Sequence, residues 1–117
     1  MHLHRERDYV KIYGESVNEA LSVMGPHIAR IIKIHVQEKY SIRLTDTYNN
    51  PQELTDALRA TIYGGTRVIQ RRILRILYEK MGIEPKFVIS TNFEEKILEA
   101  KKLFEKPEQN GHSGLNS

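Results

Sequence analysis

Apolar residues recur at intervals of three and four along most of this chain, the spacing that collects them on one face of an α-helix. The first such segment spans residues 8–24, and its apolar positions are Val10, Tyr13, Val17, Ala20, Leu21 and Met24. Gly14 lies inside this segment, where a glycine costs about 1 kcal/mol relative to alanine. The pattern therefore predicts an amphipathic first helix with one weak point.

A second helix is predicted over residues 26–39, because Gly25 ends the first segment and Pro26 suits the first position of a helix. Its apolar positions lie almost all round the helix: Ile28, Ala29, Ile31, Ile32, Ile34 and Val36. Such a helix is usually buried on several sides, so we expect it to be the central one. His35 lies within the apolar arc, where a buried, hydrogen-bonded histidine is expected and a ligand role is the alternative.

The third and fourth helices are predicted to follow one another across a short turn. After a loop over residues 41–50, the Asn50-Pro51 pair begins the third helix with a cap and a proline at the first helical position. This helix ends at Tyr63-Gly64-Gly65, where a glycine can adopt the left-handed conformation. The fourth helix spans residues 67–81, and its apolar arc comprises Ile69, Ile73, Leu74, Ile76, Leu77 and Met81.

The fifth predicted helix carries a narrower apolar stripe. Thr91 to Glu94 forms a capping box, in which a threonine and a glutamate three residues later satisfy the first N–H groups of a helix. The stripe is formed by Phe93, Ile97, Ala100 and Phe104. A narrow stripe fits one partner surface, either the chain's own domain or a second subunit, so these residues are a candidate dimer seam.

Together the five segments predict an all-α fold, a compact bundle of about five helices with helix-turn-helix connections. Residues 86–89 are a candidate for one short extended segment, either a strand or a docked loop. Residues 107–117 are rich in Gly, Ser, Asn and Gln and predict a disordered tail. We therefore expect a single helical domain over residues 1–106.

Composition narrows the classes of function. The chain has no cysteine, which excludes disulfides, thiol catalysis and cysteine-based zinc sites. No apolar run approaches the ~20 residues of a membrane span, and the charged N-terminus lacks the apolar core of a signal peptide, so we expect no membrane partner and a cytoplasmic location. No nucleophile, base and orienting acid can be assembled from local spacing, so we expect neither enzymatic activity nor a cofactor or metal.

The formal net charge of +3 is concentrated on the fourth helix, because residues 65–82 contain four arginines and a lysine against one glutamate, a net +4. Arg67, Arg71 and Arg75 recur every four residues and therefore line up along one side. With two cations of the second helix, the candidate interaction or nucleic-acid surface comprises Arg67, Arg71, Arg72, Arg75, Arg30 and Lys33. The alternative is a solvated helix face on which Arg75 pairs with Glu79.

Gly64-Gly65-Thr66 is also compatible with a phosphate-binding turn, since the first N–H groups of a helix attract anions. The segment lacks the glycine and lysine spacing of a P-loop, and it follows a predicted helix instead of a strand. We therefore favour a helix–helix connection, with Thr66 as an ordinary N-cap.

The middle of the chain is similar to a known family. Its elements are Tyr40-Ser-Ile, a loop with Asp46, Asn50-Pro51-x-x-Leu54-x-x-Ala57-Leu58, Tyr63-Gly64-Gly65, Val68-Ile69, Ile73 and Leu77-Tyr78-Glu79-Lys80. Over residues 20–82 this order resembles the Nitrosopumilus output domains, small all-helical archaeal domains found alone or joined to signalling modules. The resemblance implies a signalling or regulatory role and no site residues. The chain departs from it near Gln70 and Arg71, where an acidic residue is expected and the helix is basic.

Two functions follow as expectations. The first is a non-enzymatic output or interaction domain that binds a protein partner or itself through the fifth helix or the arginines. The second is a DNA-binding transcriptional regulator in which the basic helix 66–81 is the recognition helix. An enzyme or small-ligand domain that uses His35 or the Gly64-Gly65-Thr66 turn is the weakest alternative.

Overall fold

The computed structural model describes residues 2–85 and 91–105, with side chains from Arg7 onward. Within these residues every regular element is helical, which confirms the predicted all-α bundle. The five α-helices are α1 (His2–Leu21), α2 (Pro26–Tyr40), α3 (Pro51–Ile62), α4 (Thr66–Lys80) and α5 (Phe93–Phe104). Short 3-10 turns lie at Ser22–Met24, Leu44–Asn49 and Tyr63–Gly65. The extended segment predicted near 86–89 and the tail predicted at 107–117 lie outside the described residues.

Helix α1 lies at the centre of the hydrophobic core. It contacts α2, α4, α5 and the Leu44–Asn49 turn, and it packs most extensively against α4. Its side chains Tyr9, Tyr13 and Val17 are fully buried. The first helix therefore takes the central place that the sequence pattern suggested for the second.

Helix α2 lies at the edge of the bundle, so the prediction of a central second helix is wrong. Its buried side chains are Ala29, Ile32 and Val36. Its exposed isoleucines are Ile28, Ile31 and Ile34. His35 is exposed as well, which contradicts the predicted buried histidine. A helix that is apolar all round has no preferred face to bury, and the helices available around it decide which face is covered.

Helix α5 packs within its own chain, which is one of the two alternatives predicted for its apolar stripe, the other being a dimer seam. The seam residues Phe93, Ile97 and Ala100 are buried in the monomer. The ring centroid of Phe104, the fourth seam residue, lies 5.7 Å from that of Tyr9 in α1. The Tyr9 hydroxyl also donates to the backbone carbonyl of Ile97 at 3.0 Å. A narrow stripe needs one partner surface, and the chain's own core supplies it.

Two further tyrosine hydroxyls join elements that are distant in sequence. Tyr78 of α4 donates to the carbonyl of Lys96 in α5 at 3.1 Å. The Tyr13 hydroxyl lies 2.7 Å from Thr47 Oγ1. Because Thr47 Oγ1 itself donates to the carbonyl of Leu44 at 2.9 Å, Tyr13 is the donor in this pair. These buried hydroxyls are thus hydrogen-bonded, which avoids the cost of burying an unpaired polar group.

Two predicted helix caps are wrong in detail. Thr66 is the first residue of α4, and its hydroxyl donates to the carbonyl of Tyr63 at 2.8 Å instead of capping the helix. At α5 the cap is Asn92, whose side chain accepts from the N–H of Glu95 at 2.8 Å. Neighbouring Thr and Asn side chains compete for the same role, so sequence places a helix end only to within a residue or two.

Gly14 marks a close approach between α1 and the Leu44–Asn49 turn. A Cβ atom at Gly14 would lie 3.4 Å from the Thr45 carbonyl oxygen and 3.6 Å from the Thr45 Cβ, both ordinary contacts. We therefore expect Gly14→Ala to raise the free energy of unfolding by about 0.5–1 kcal/mol, because alanine favours the helix. Urea denaturation measures the change. Gly14→Val, which crowds the same contact, is the control and should destabilise, whereas a less stable alanine variant would contradict the expected fit.

Candidate interaction surface on helix α4

Helix α4 is presented by a tight connection from α3. Only the Tyr63–Gly65 turn separates the two helices, which agrees with the predicted helix–helix connection. Tyr63, and neither glycine, adopts the positive φ of this turn, at φ 57° and ψ −108°. Such a conformation is costly for a residue with a side chain and persists only where the surrounding structure enforces it.

A polar cluster holds the inner side of α4 against α3 and α5. Gln70 of α4 donates to Thr55 Oγ1 at 2.8 Å, and the same hydroxyl donates to the Glu94 carboxylate in α5. Thr55 is buried, so its two partners leave its hydroxyl satisfied. The cluster fixes the rotation of α4 and therefore the direction of its opposite side.

The two sides of α4 differ sharply in chemistry. Its buried residues are Thr66, Ile69, Ile73, Leu74, Leu77 and Tyr78. Arg67, Arg71 and Arg75 are all exposed, and we call these three residues the arginine ridge. The helical periodicity of the sequence therefore predicted both the buried side and the exposed side of α4 correctly.

The positive charges of the arginine ridge have no ion-pair partner among the residues that the structure describes. Among the described residues, none of its three guanidinium groups forms an ion pair, and the expected pairing of Arg75 with Glu79 is not formed. Two acids of α1 are engaged elsewhere: Lys80 Nζ lies 2.9 Å from a Glu19 carboxylate oxygen and 3.7 Å from one of Glu15. The hydrogen bond that Lys80 donates to Glu19 raises the pKa of Lys80, which favours its charged form.

The other three residues of the predicted surface differ from the ridge in burial, in the helix that carries them or in their hydrogen bonds. Arg72 is half-buried, and its Nε atom is buried without a hydrogen-bond partner. Arg30 and Lys33 lie on α2, which is not a packed partner of α4 in this bundle. Lys33 Nζ donates instead to Asn18 Oδ1 of α1 at 2.6 Å. Of the six cations predicted for the surface, the three of the ridge are thus the ones that are exposed on α4 itself.

Two apolar residues beside the ridge were missed by the sequence analysis. Tyr63 is 86% exposed and comes four residues before Arg67, while Val68 is exposed on α4 itself. The sequence does carry a signal for Val68, which is an apolar residue between Arg67 and Arg71, outside the apolar arc of the helix. An exposed aromatic ring next to cations is a common composition for a binding surface.

The hydroxyl of Thr66, which follows the turn, is not free to bind a phosphate. Thr66 is buried and its hydroxyl is already bonded to the Tyr63 carbonyl. Among the residues that the structure describes, no group of three or more His, Asp or Glu side chains could hold a metal ion. The chemistry that this surface offers is therefore charge and stacking.

No family model, curated protein or solved structure matches this chain. No helix in the described part of the chain is long and apolar enough to cross a membrane. The arginine ridge, with Tyr63 and Val68 beside it, is thus the candidate site, and its chemistry is the basis for assigning a function.

Proposed function

We propose that this chain is a non-enzymatic interaction domain of a signalling or regulatory kind, which binds an acidic macromolecular surface through the arginine ridge. The observation that carries the proposal is that Arg67, Arg71 and Arg75 are exposed together and form no ion pair with any other residue that the structure describes. Guanidinium groups present planar sets of donors that match carboxylates and phosphates. A partner would therefore meet these donors without first breaking an internal salt bridge.

The resemblance to the Nitrosopumilus output domains over residues 20–82 supports the signalling part of this proposal. That family implies a signalling or regulatory role with no settled biochemical activity, and binding through an exposed helix face is one way in which such a domain acts. The basic character of α4 around Arg71 differs from the family's pattern. We therefore propose that its partner is not one that it shares with the family.

The proposal predicts that reversing two charges of the ridge weakens binding to acidic polymers. We expect Arg71→Glu plus Arg75→Glu to weaken binding of fluorescent poly-glutamate about tenfold or more, since like charges then face each other. Fluorescence anisotropy measures the affinity. Lys11→Glu plus Lys102→Glu is the matched control, because it changes the net charge by the same amount. Both lysines are exposed, and neither forms an ion pair with another described residue. Equal affinity of the two double variants would contradict the proposal.

A DNA-binding regulator is the second candidate, favoured by the α3–turn–α4 arrangement. Two helices joined by a three-residue turn containing glycine are typical of a helix-turn-helix, and the arginines lie on its second helix. In the same assay with a mixed-sequence DNA duplex, the logarithm of the affinity should fall linearly with the logarithm of salt concentration. The ridge double variant should reduce that slope by about 2. Tighter binding of poly-glutamate than of the duplex, or an unchanged slope, would count against this candidate.

A further inference from the structure

The exposed side of α2 has a symmetric pattern centred on Ile31. Reading outward from Ile31, an isoleucine lies three residues away in both directions and a histidine four residues away: Ile28, Ile34, His27 and His35. Residues three and four apart share one side of a helix, so all five lie on one surface. The exposed fractions follow the same symmetry, with 54% for Ile31, 46% for Ile28 and 48% for Ile34.

Charged groups are absent from the middle of this surface. Arg30 lies at the margin of the surface, since it is four residues before Ile34 but turned about 100° away from Ile31. Lys33 lies on another side, where its ammonium group bonds to Asn18 of α1. Three exposed isoleucines in a row, flanked by imidazole rings, form an apolar patch of the kind found in interfaces.

We propose that this patch is a dimer interface, in which α2 of one copy packs antiparallel on α2 of a second copy. A twofold axis requires one surface to be complementary to itself, with residue i facing residue j and j facing i. About an axis at Ile31, the two Ile31 side chains meet, each Ile28 lies level with the other copy's Ile34, and each His27 lies level with the other copy's His35. The symmetric spacing of the patch meets this requirement.

The ends of α2 provide electrostatic complementarity for the same arrangement. Glu38 follows Ile31 by seven residues, about two turns, and therefore lies on the same side of the helix. In the antiparallel pair it reaches the N-terminus of the other copy's α2, within about 3 Å of the level of Pro26. That N-terminus has no side-chain cap and no acid in its first turn. The carboxylate would meet the positive end of the helix dipole in both halves of the dimer.

The size of the patch indicates a reversible dimer. One face of a 15-residue helix is small compared with the ~800 Å² that each partner buries in a stable interface. Exposed Val23, just before α2, extends the apolar area. The proposal is independent of the arginine ridge, since α2 and α4 are not packed partners and carry separate surfaces.

Sedimentation velocity across a concentration series tests the dimer. The wild type should pass from monomer to dimer, and Ile31→Glu should raise the dissociation constant at least about a hundredfold, because each dimer would bury two facing carboxylates. Leu98→Glu is the matched control, since Leu98 is 42% exposed on α5 and receives the same charge. If Ile31→Glu loses helicity by circular dichroism, Ile31→Ala tests the same contact without a charge. A wild type that stays monomeric, or equal dimerisation of the two Glu variants, would overturn the proposal.

Disulfide formation between introduced cysteines tests the antiparallel arrangement. The sequence has no natural cysteine, so no competing disulfide can form. Equal amounts of His27→Cys and His35→Cys chains should cross-link to each other under mild oxidation. Each variant alone should not, because the two copies of residue 27 would lie about 12 Å apart along the helices, beyond the ~7 Å between Cα atoms that a disulfide spans. Cross-linking of one variant to itself in preference to the mixture would indicate parallel helices and sink the proposal.

Discussion

Raising the pH above about 10 is expected to unfold this protein steeply, because three core tyrosines keep their protons in the folded state. Burial raises the pKa of Tyr9 far above its ordinary value of 10.0, helped by Tyr13, Tyr78 and Glu105. Burial likewise raises the pKa of Tyr13, partly opposed by the hydrogen bond to Thr47. For Tyr78, burial and then Glu99 raise the pKa to about 12.

The sign of the effect follows from proton linkage. Below about pH 10 the tyrosines are protonated in both states, and stability does not depend on them. Above that pH the unfolded chain releases protons that the folded chain retains, so the free energy of unfolding falls. Each retained proton costs about 1.4 kcal/mol per pH unit, so Tyr9 and Tyr13 together cost about 3 kcal/mol per unit. Tyr78 adds to this up to its pKa of about 12.

Absorbance of the tyrosinate band and helical circular dichroism, recorded in one alkaline titration, measure this prediction. We expect the buried tyrosines to ionise together with the loss of helix. Tyr9→Phe should reduce the slope of the free energy of unfolding against pH by about 1.4 kcal/mol per pH unit, the contribution of one proton. Tyr63→Phe, at an exposed position, should leave the pH midpoint of unfolding unchanged. Ionisation of all tyrosines while the helices remain intact would contradict the prediction.

Truncating Ile97 is expected to cost about 2–5 kcal/mol of the free energy of unfolding. Ile97 is fully buried, and its carbonyl accepts the hydrogen bond from Tyr9. Ile97→Ala removes three carbons and leaves a cavity between α5 and the core. Urea denaturation gives the loss, which is large beside the 5–15 kcal/mol of a typical domain.

Leu98→Ala provides the control for this prediction. Leu98 is the next residue of the same helix but is partly exposed, so its truncation should cost about 1 kcal/mol or less. The Ile97→Ala loss should also be independent of protein concentration and the same in the Ile31→Glu background, because α5 packs within one chain. A loss that vanishes on dilution would instead place α5 between subunits.

The α4 surface shows how much of a candidate site follows from sequence. The division into an apolar arc and the arginine ridge depends only on the helical repeat, and it is confirmed. The state of the ridge's charges could not be predicted, because acids of α1 reach Lys80 across the bundle while Arg75 and Glu79, one turn apart, do not pair. The strained, exposed Tyr63 was missed because a glycine next to it was the expected bearer of the positive φ.

By itself the sequence determined the helices, the two sides of α4 and the turn before it, because these depend on contacts within a few residues. Only the tertiary structure decided which apolar faces are covered. Helix α5 has one apolar stripe, and the core covers it. Helix α2 is apolar almost all round, and its Ile28–Ile34 face is left exposed. The physical reason is that periodicity belongs to a single helix, whereas burial depends on how many neighbours the fold brings to it.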